Sequence, residues 1–190
     1  MNRLAALLVA TALAATNALA NSPNRASEGE RVYGWLEKAV VLPVGATVDI
    51  KLDSGAWTSS MDAKDIETFR QDGKQWVRFD LRLEDHVSGA VRHREMRLPL
   101  ERITRVRGAG GEDLRPVVTL PVCIGDRVFH EQFTLRDREN MTYPVLLGRR
   151  TMKELGLLDV TATYLNKPAC PLARLDRAAG GKGDKPGKGG

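Results

Sequence analysis

The stretch Val48-Asp49-Ile50-Lys51-Leu52-Asp53-Ser54-Gly55-Ala56 decides how the chain is read. Val48, Ile50 and Leu52 alternate with Asp49, Lys51 and Asp53, and this period of two suits a strand with one buried face. The strand runs straight into an acid, a hydroxyl and a glycine. Gly55 lets the backbone approach closely, and the Ser54 hydroxyl can fix the turn through a side-chain hydrogen bond. A carboxylate held at such a break is either part of a plain Asp-Ser-Gly turn or a reactive group, and the tripeptide by itself fits both.

On either side the same period dominates. Val40 to Leu42 forms a short strand before a turn at Pro43 and Gly45. Trp76-Val77-Arg78-Phe79-Asp80-Leu81-Arg82-Leu83 places Val77, Phe79, Leu81 and Leu83 on one face, and Asp72-Gly73 ahead of it is a tight-turn signal. Leu114 to Ile124 sets Val118, Leu120, Val122 and Ile124 on one face, Gly125-Asp126 turns the chain, and Val128 to Leu135 returns as a second hairpin. One helix is well signalled: Arg149 to Leu155 holds good helix formers and stops at Gly156, while Asp65 to Phe69 is a candidate for one further helical turn. Many short strands with a single late helix predict an all-β barrel or sandwich.

The 190 residues, 42% hydrophobic and 28% charged, suffice for one ordinary core. The net charge of +5 loses one unit with Arg3 and two with Lys182, Lys185 and Lys188 against Asp184, so the body carries about +2 with acids and bases mixed. No nucleic-acid partner is expected from that balance. Residues 1–20 combine a positive start at Arg3, an apolar run from Leu4 to Leu13 and small residues at Ala18 and Ala20, which reads as a cleaved signal peptide. A membrane anchor is the alternative, but Thr11, Thr16 and Asn17 interrupt the run, and no stable membrane insertion is expected after cleavage. The expected organisation is a flexible segment 21–31, one domain at 32–172 and a flexible Gly/Lys-rich tail 173–190, with a periplasmic or secreted location. Export makes a disulfide chemically possible, and Cys123 and Cys170 are read as either joined or both reduced and buried.

His86, His93 and His130 lack metal-ligand spacing, and the chain has no Gly-rich phosphate loop, so neither a metal nor a cofactor is expected. A second informative segment is Pro144-Val145-Leu146-Leu147-Gly148-Arg149, an apolar run through glycine into the helix. With Asp53-Ser54-Gly55-Ala56 it resembles the aspartic proteases of retropepsin type. Gly34-Trp35, Leu42-Pro43, Trp76-Val77-Arg78-Phe79, Arg115-Pro116-Val117 and Thr134-Leu135-Arg136-Asp137-Arg138 extend the likeness over roughly residues 32–165 to the bacterial retropepsin-like family once labelled ATP-dependent zinc proteases.

The resemblance implies a retropepsin-like closed barrel and an aspartic endopeptidase with Asp53 as catalytic residue. Ser54, Gly55, Ala56, Gly148 and Arg149 would support the active-site loop. Ser54 stands where the family usually has Thr, which keeps the hydroxyl. Trp57 departs from the pattern and is read as core rather than as groove lining. Asp-Ser-Gly occurs once, whereas the chemistry needs two carboxylates sharing a proton, so a homodimer is expected, acting on a peptide or protein substrate. Asp53 and Gly148 lie 95 positions apart, and a lid is expected within His86 to Gly111, hinged at Gly89 and Gly108-Ala109-Gly110-Gly111, with a solvated hairpin as the equal alternative. An inactive peptide-binding module of the same fold, and amidase-like trimming of glutamate-containing peptides, are the other function classes.

Overall fold

A computed structural model describes residues 30–108 and 111–171. The expected signal peptide 1–20 and the tail 173–190 lie outside these residues. Arg31, at the end of the segment expected to be flexible, is pinned: it forms a two-pronged ion pair with Asp126, at 2.7 and 2.9 Å.

Among the described residues eleven strands and one helix follow in the order β1 (Val32–Val41), β2 (Ala46–Asp53), β3 (Ser59–Asp62), β4 (Lys64–Gln71), β5 (Lys74–Glu84), β6 (Val91–Pro99), β7 (Arg102–Gly108), β8 (Gly111–Ile124), β9 (Arg127–Arg136), β10 (Val145–Gly148), α1 (Arg149–Leu155) and β11 (Leu157–Thr163). The fold is mostly β with the helix where its formers and Gly156 place it. The segment Asp65–Phe69, a helix candidate from its composition, belongs instead to β4. It pairs with β5 across Asp72-Gly73, both at positive φ (51° and 73°), the geometry of a two-residue hairpin turn. Cross-strand pairing overrides a few residues of weak helix preference.

An eight-stranded sheet runs β11-β1-β2-β10-β3-β9-β8-β7, and a further pairing of β1 with β8 (Val40 opposite Cys123) closes β1, β2, β10, β3, β9 and β8 into a ring. Inside lie Val48, Ile50, Leu52, Leu120, Ile124, Phe133, Leu135, Val145 and Leu147, each 5% exposed or less. A fully buried aliphatic side chain contributes about 1.5–3 kcal/mol. A separate sheet, β4-β5-β6, is inserted between β3 and β7 and lays Val77, Phe79, Leu81 and Leu83 against the same core.

The C-terminal segment is tied back twice. Glu37, fully buried on β1, accepts hydrogen bonds from the amides of Gly34, Leu165 and Asn166, at 2.8–3.1 Å. Cys123 and Cys170 are joined in a disulfide with Cα atoms 6.0 Å apart, which resolves the two alternatives left by the sequence. Among the described residues, no helix is long and apolar enough to cross a membrane.

Candidate active site

Asp53 is the last residue of β2, and its register partner on the parallel strand β10 is Gly148. The two informative sequence segments therefore meet side by side at one end of the ring. The Asp53 side chain is about a quarter exposed, and its Oδ1 accepts the Gly55 amide at 2.9 Å, while Lys51 Nζ stands 3.5 Å from Oδ2. The turn closes with the Ala56 amide donating to the Asp53 carbonyl at 3.1 Å. One carboxylate oxygen is thus held by backbone and the group still reaches solvent, as a reacting carboxylate requires.

The β10–α1 junction clamps this turn from below. The Arg149 amide donates to the Ala56 carbonyl (2.9 Å), the Arg150 amide to the Trp57 carbonyl (3.2 Å), and Arg149 Nη1 to the Ser54 carbonyl (2.5 Å). Glycine is required at 148, because a Cβ there would lie 2.7 Å from the backbone of Trp57 and Thr58. Ser54 and Gly55 are exposed and Ala56 half-buried. Trp57 is not core as expected: it is 61% exposed, and the Arg149 guanidinium lies 5.7 Å from its ring centroid. The clamp holds the Trp57 backbone and leaves its ring outside, so the residue is fixed without being buried.

Two groups that sequence reasoning missed stand behind the turn. Ser59 and Thr151 are buried and 2.7 Å apart; Ser59 Oγ accepts the Gly148 amide at 3.1 Å, and Thr151 Oγ1 donates to Glu131 Oε2 at 2.9 Å. Burial pushes the Glu131 pKa up. Arg138, 8% exposed, spends its side-chain hydrogen bonds on the Tyr143 carbonyl (3.1 Å) and Ser60 Oγ (3.4 Å). Desolvation lowers its pKa, and the neighbouring charge of Arg136 acts in the same direction. The only sequence signal for the first group is the hydroxyl run Thr58-Ser59-Ser60 directly after the turn; for Arg138 it is the phrase Thr134-Leu135-Arg136-Asp137-Arg138.

Of the expected lid, His86 to Gly111, the structure makes two different things. Gly89 lies in the β5–β6 connection of the inserted sheet, whereas Gly108 and Gly111 face each other at the end of the β7–β8 hairpin. His86 approaches Asp49 (3.3 Å), His93 approaches Asp80 (3.0 Å) and His130 is exposed; among the described residues no three His, Cys, Asp or Glu side chains gather as metal ligands.

The model of the RimB-like family, "Retropepsin-like aspartic endopeptidase RimB", matches residues 32–169. The chain belongs to this family. The RimB-like assignment agrees with the mostly β fold and its ring of strands. The chain is also 30% identical over 112 residues to a probable alpha-L-glutamate ligase of Desulfotalea psychrophila, covering 59% of this chain and 24% of the relative. A protein of the same description from Shewanella pealeana is 29% identical over 118 residues, covering 62% and 25%. This RimB-like chain therefore spans about a quarter of the length of those curated relatives. Among solved structures it is similar to a protein of unknown function from Legionella pneumophila, with TM-score 0.58, 28% identity, and coverage of 72% of this chain and 98% of that one.

Proposed function

We propose that the chain is an exported aspartic endopeptidase whose reacting pair is two Asp53 carboxylates brought together across a homodimer. The observation that carries the reading is Asp53 itself: a partly exposed carboxylate, hydrogen-bonded by the Gly55 amide, in a turn that β10 and α1 hold from below. Two like charges so close cannot both ionise, so the pair shares one proton. The ionised member takes a proton from a water as it attacks the peptide carbonyl, and its neighbour donates to the carbonyl oxygen. Each chain supplies one such carboxylate, and a twofold axis supplies the second. The arginine clamp on the Ser54, Ala56 and Trp57 carbonyls keeps the loop from moving as charge shifts within the pair. The β7–β8 hairpin is the proposed lid. The apolar N-terminal run and the Cys123–Cys170 bond support a periplasmic or secreted location.

A second reading, trimming of glutamate-containing peptides, is supported by the relatives described as glutamate ligases and by Arg138, whose side-chain hydrogen bonds go to neutral partners. A guanidinium of that kind suits an acidic side chain. An inactive peptide-binding module is the remaining alternative.

Incubation of the mature protein with an unbiased peptide library tests the three readings together. The peptidase reading expects cleavage that Asp53→Asn abolishes without loss of fold or dimer, and inhibition by excess Asp53→Asn chains beyond simple dilution. Activity should fall at neutral and higher pH as the shared proton is lost. Cleavage confined to glutamate-rich peptides selects the second reading. Full activity in Asp53→Asn, or an active monomer, discards the shared pair.

A further inference from the structure

We infer that Glu131 is a positioning residue for Asp53, acting through a one-way hydrogen-bond chain from the Gly148 amide through the Ser59 and Thr151 hydroxyls to its own carboxylate; the inference rests on the peptidase reading above. The chain joins four elements. Gly148 ends β10, Ser59 opens β3, Thr151 lies in α1 and Glu131 in β9, and the three links measure 3.1, 2.7 and 2.9 Å.

The local backbone explains why the chain is there. β10 and β3 pair at Val145–Met61 and Leu146–Ser60, and the pairing stops where α1 begins. Gly148, at the start of that helix, has no side chain with which to cap it. The Arg149 and Arg150 amides go to the carbonyls of Ala56 and Trp57, so the turn after Asp53 takes the place of a cap. The Gly148 amide is left over, and Ser59 Oγ accepts it. Because Gly148 is the register partner of Asp53, the bond that fixes its amide also fixes the strand end against which the Asp53 backbone lies.

The direction of the chain follows from counting protons. Thr151 gives its single hydroxyl proton to Glu131 Oε2, so the bond between the two hydroxyls uses the Ser59 proton. Ser59 Oγ is then left to accept, which is what the Gly148 amide needs. A side chain at 131 that also donates, as an amide does, lets the Thr151 proton turn toward Ser59, whose own proton then has no acceptor among the described residues. An acceptor-only group at the far end permits one arrangement.

The carboxylate stands in an unfavourable place. Ser59, Thr151 and Glu131 are all buried, and desolvation raises the Glu131 pKa while the Thr151 hydrogen bond opposes the rise. Among the described residues Glu131 makes no ion pair, and Thr151 is its one side-chain hydrogen-bond partner. Arg150, close enough to act on its charge, donates instead to Gln132 Oε1 at 3.1 Å. What the carboxylate adds is therefore order in the hydroxyl chain rather than bulk stability.

The test uses the full chain isotope-labelled at glycine, in which Gly148 reports on the chain and Gly55 on Asp53, since the Gly55 amide donates to Asp53 Oδ1 at 2.9 Å. In Thr151→Val and in Glu131→Gln the Gly148 amide is expected to exchange with solvent about tenfold faster and the Gly55 resonance to move, whereas Thr151→Ser keeps both as in wild type. On a peptide that the wild type cleaves, the first two variants are expected to lower kcat about tenfold with KM unchanged, and Thr151→Ser to restore it. A Gly55 resonance unmoved in both variants, an equal loss in Thr151→Ser, or a loss confined to the melting temperature overturns the positioning role. Should Thr151→Val not fold, Glu131→Gln, which keeps the shape of the side chain, decides. The amide signals need no turnover. A wild type that cleaves nothing therefore counts against the peptidase reading, separately from an unmoved Gly55 resonance, which counts against Glu131.

Discussion

The ring that carries Asp53 and the inserted β4-β5-β6 sheet both bury an aliphatic face, yet they differ in how their strands are held. In the ring, β2, β10, β3 and β9 are paired on both edges, and the backbone under Asp53 has neighbours on every side. Among the described residues the inserted sheet keeps two free edges and covers its outer face with charge pairs, Glu67–Arg78, Asp65–Arg82, Asp80–Arg82 and Glu95–Arg97. Its far end is fastened by Asp85, whose Oδ1 accepts the Thr47 amide of β2 at 2.9 Å, beside the His86 amide bonding to the Thr47 carbonyl at 2.8 Å. Asp53 sits in the doubly paired region, where the backbone beneath it has least freedom to shift. The inserted sheet, with its edges unpaired, stands at the margin.

This contrast breaks most sharply at the disulfide. Cys170→Ser removes a cross-link closing a 47-residue span and is expected to lower stability by about 4 kcal/mol, measured by urea unfolding under non-reducing conditions. No change would mean that Glu37 alone holds the C-terminal segment to the ring. Next, Gly148→Ala forces a methyl against the Trp57 and Thr58 backbone and should cost about 3 kcal/mol together with most peptide cleavage. A smaller effect belongs to the seam between the regions. Hydrogen bonds from the Ser88 hydroxyl, and then from the Thr47 amide, hold the Asp85 pKa down to about 2. A depressed carboxylate stabilises the fold above the ordinary carboxylate range and loses that contribution as pH falls. Asp85→Asn should therefore lower Tm at pH 7, and the gap from wild type should close between about pH 4 and pH 2. A gap that stays constant with pH would sink the argument. Least of all, Arg78→Ala on the exposed ladder should change stability by under about 0.5 kcal/mol, with any effect diminished by salt.

Much of the strand plan was legible because alternation reports burial directly. Val77, Phe79, Leu81 and Leu83 are buried as their period requires, and Arg149–Leu155 is the helix that its formers and Gly156 define. Asp65–Phe69 misled because a short run carries little propensity and its pairing with β5 is decided elsewhere. Trp57 misled because size and hydrophobicity do not reveal which side of a clamped turn a side chain occupies. Ser59, Thr151 and Glu131 are dispersed over 92 positions of the chain, and no local pattern links them.

By itself the sequence determined β2, β5, the β8–β9 hairpin, α1 and the two segments of the site, since local period, turn residues and ordered phrases are properties of contiguous chain. Only the tertiary structure decided that β1 closes on β8, that Asp53 stands beside Gly148, that Cys123 meets Cys170, and that β4 faces the β7–β8 hairpin across a cleft. Each of these joins residues tens of positions apart. Such contacts form only when the whole aliphatic core is buried at once, and the free energy of that burial belongs to no single stretch of sequence.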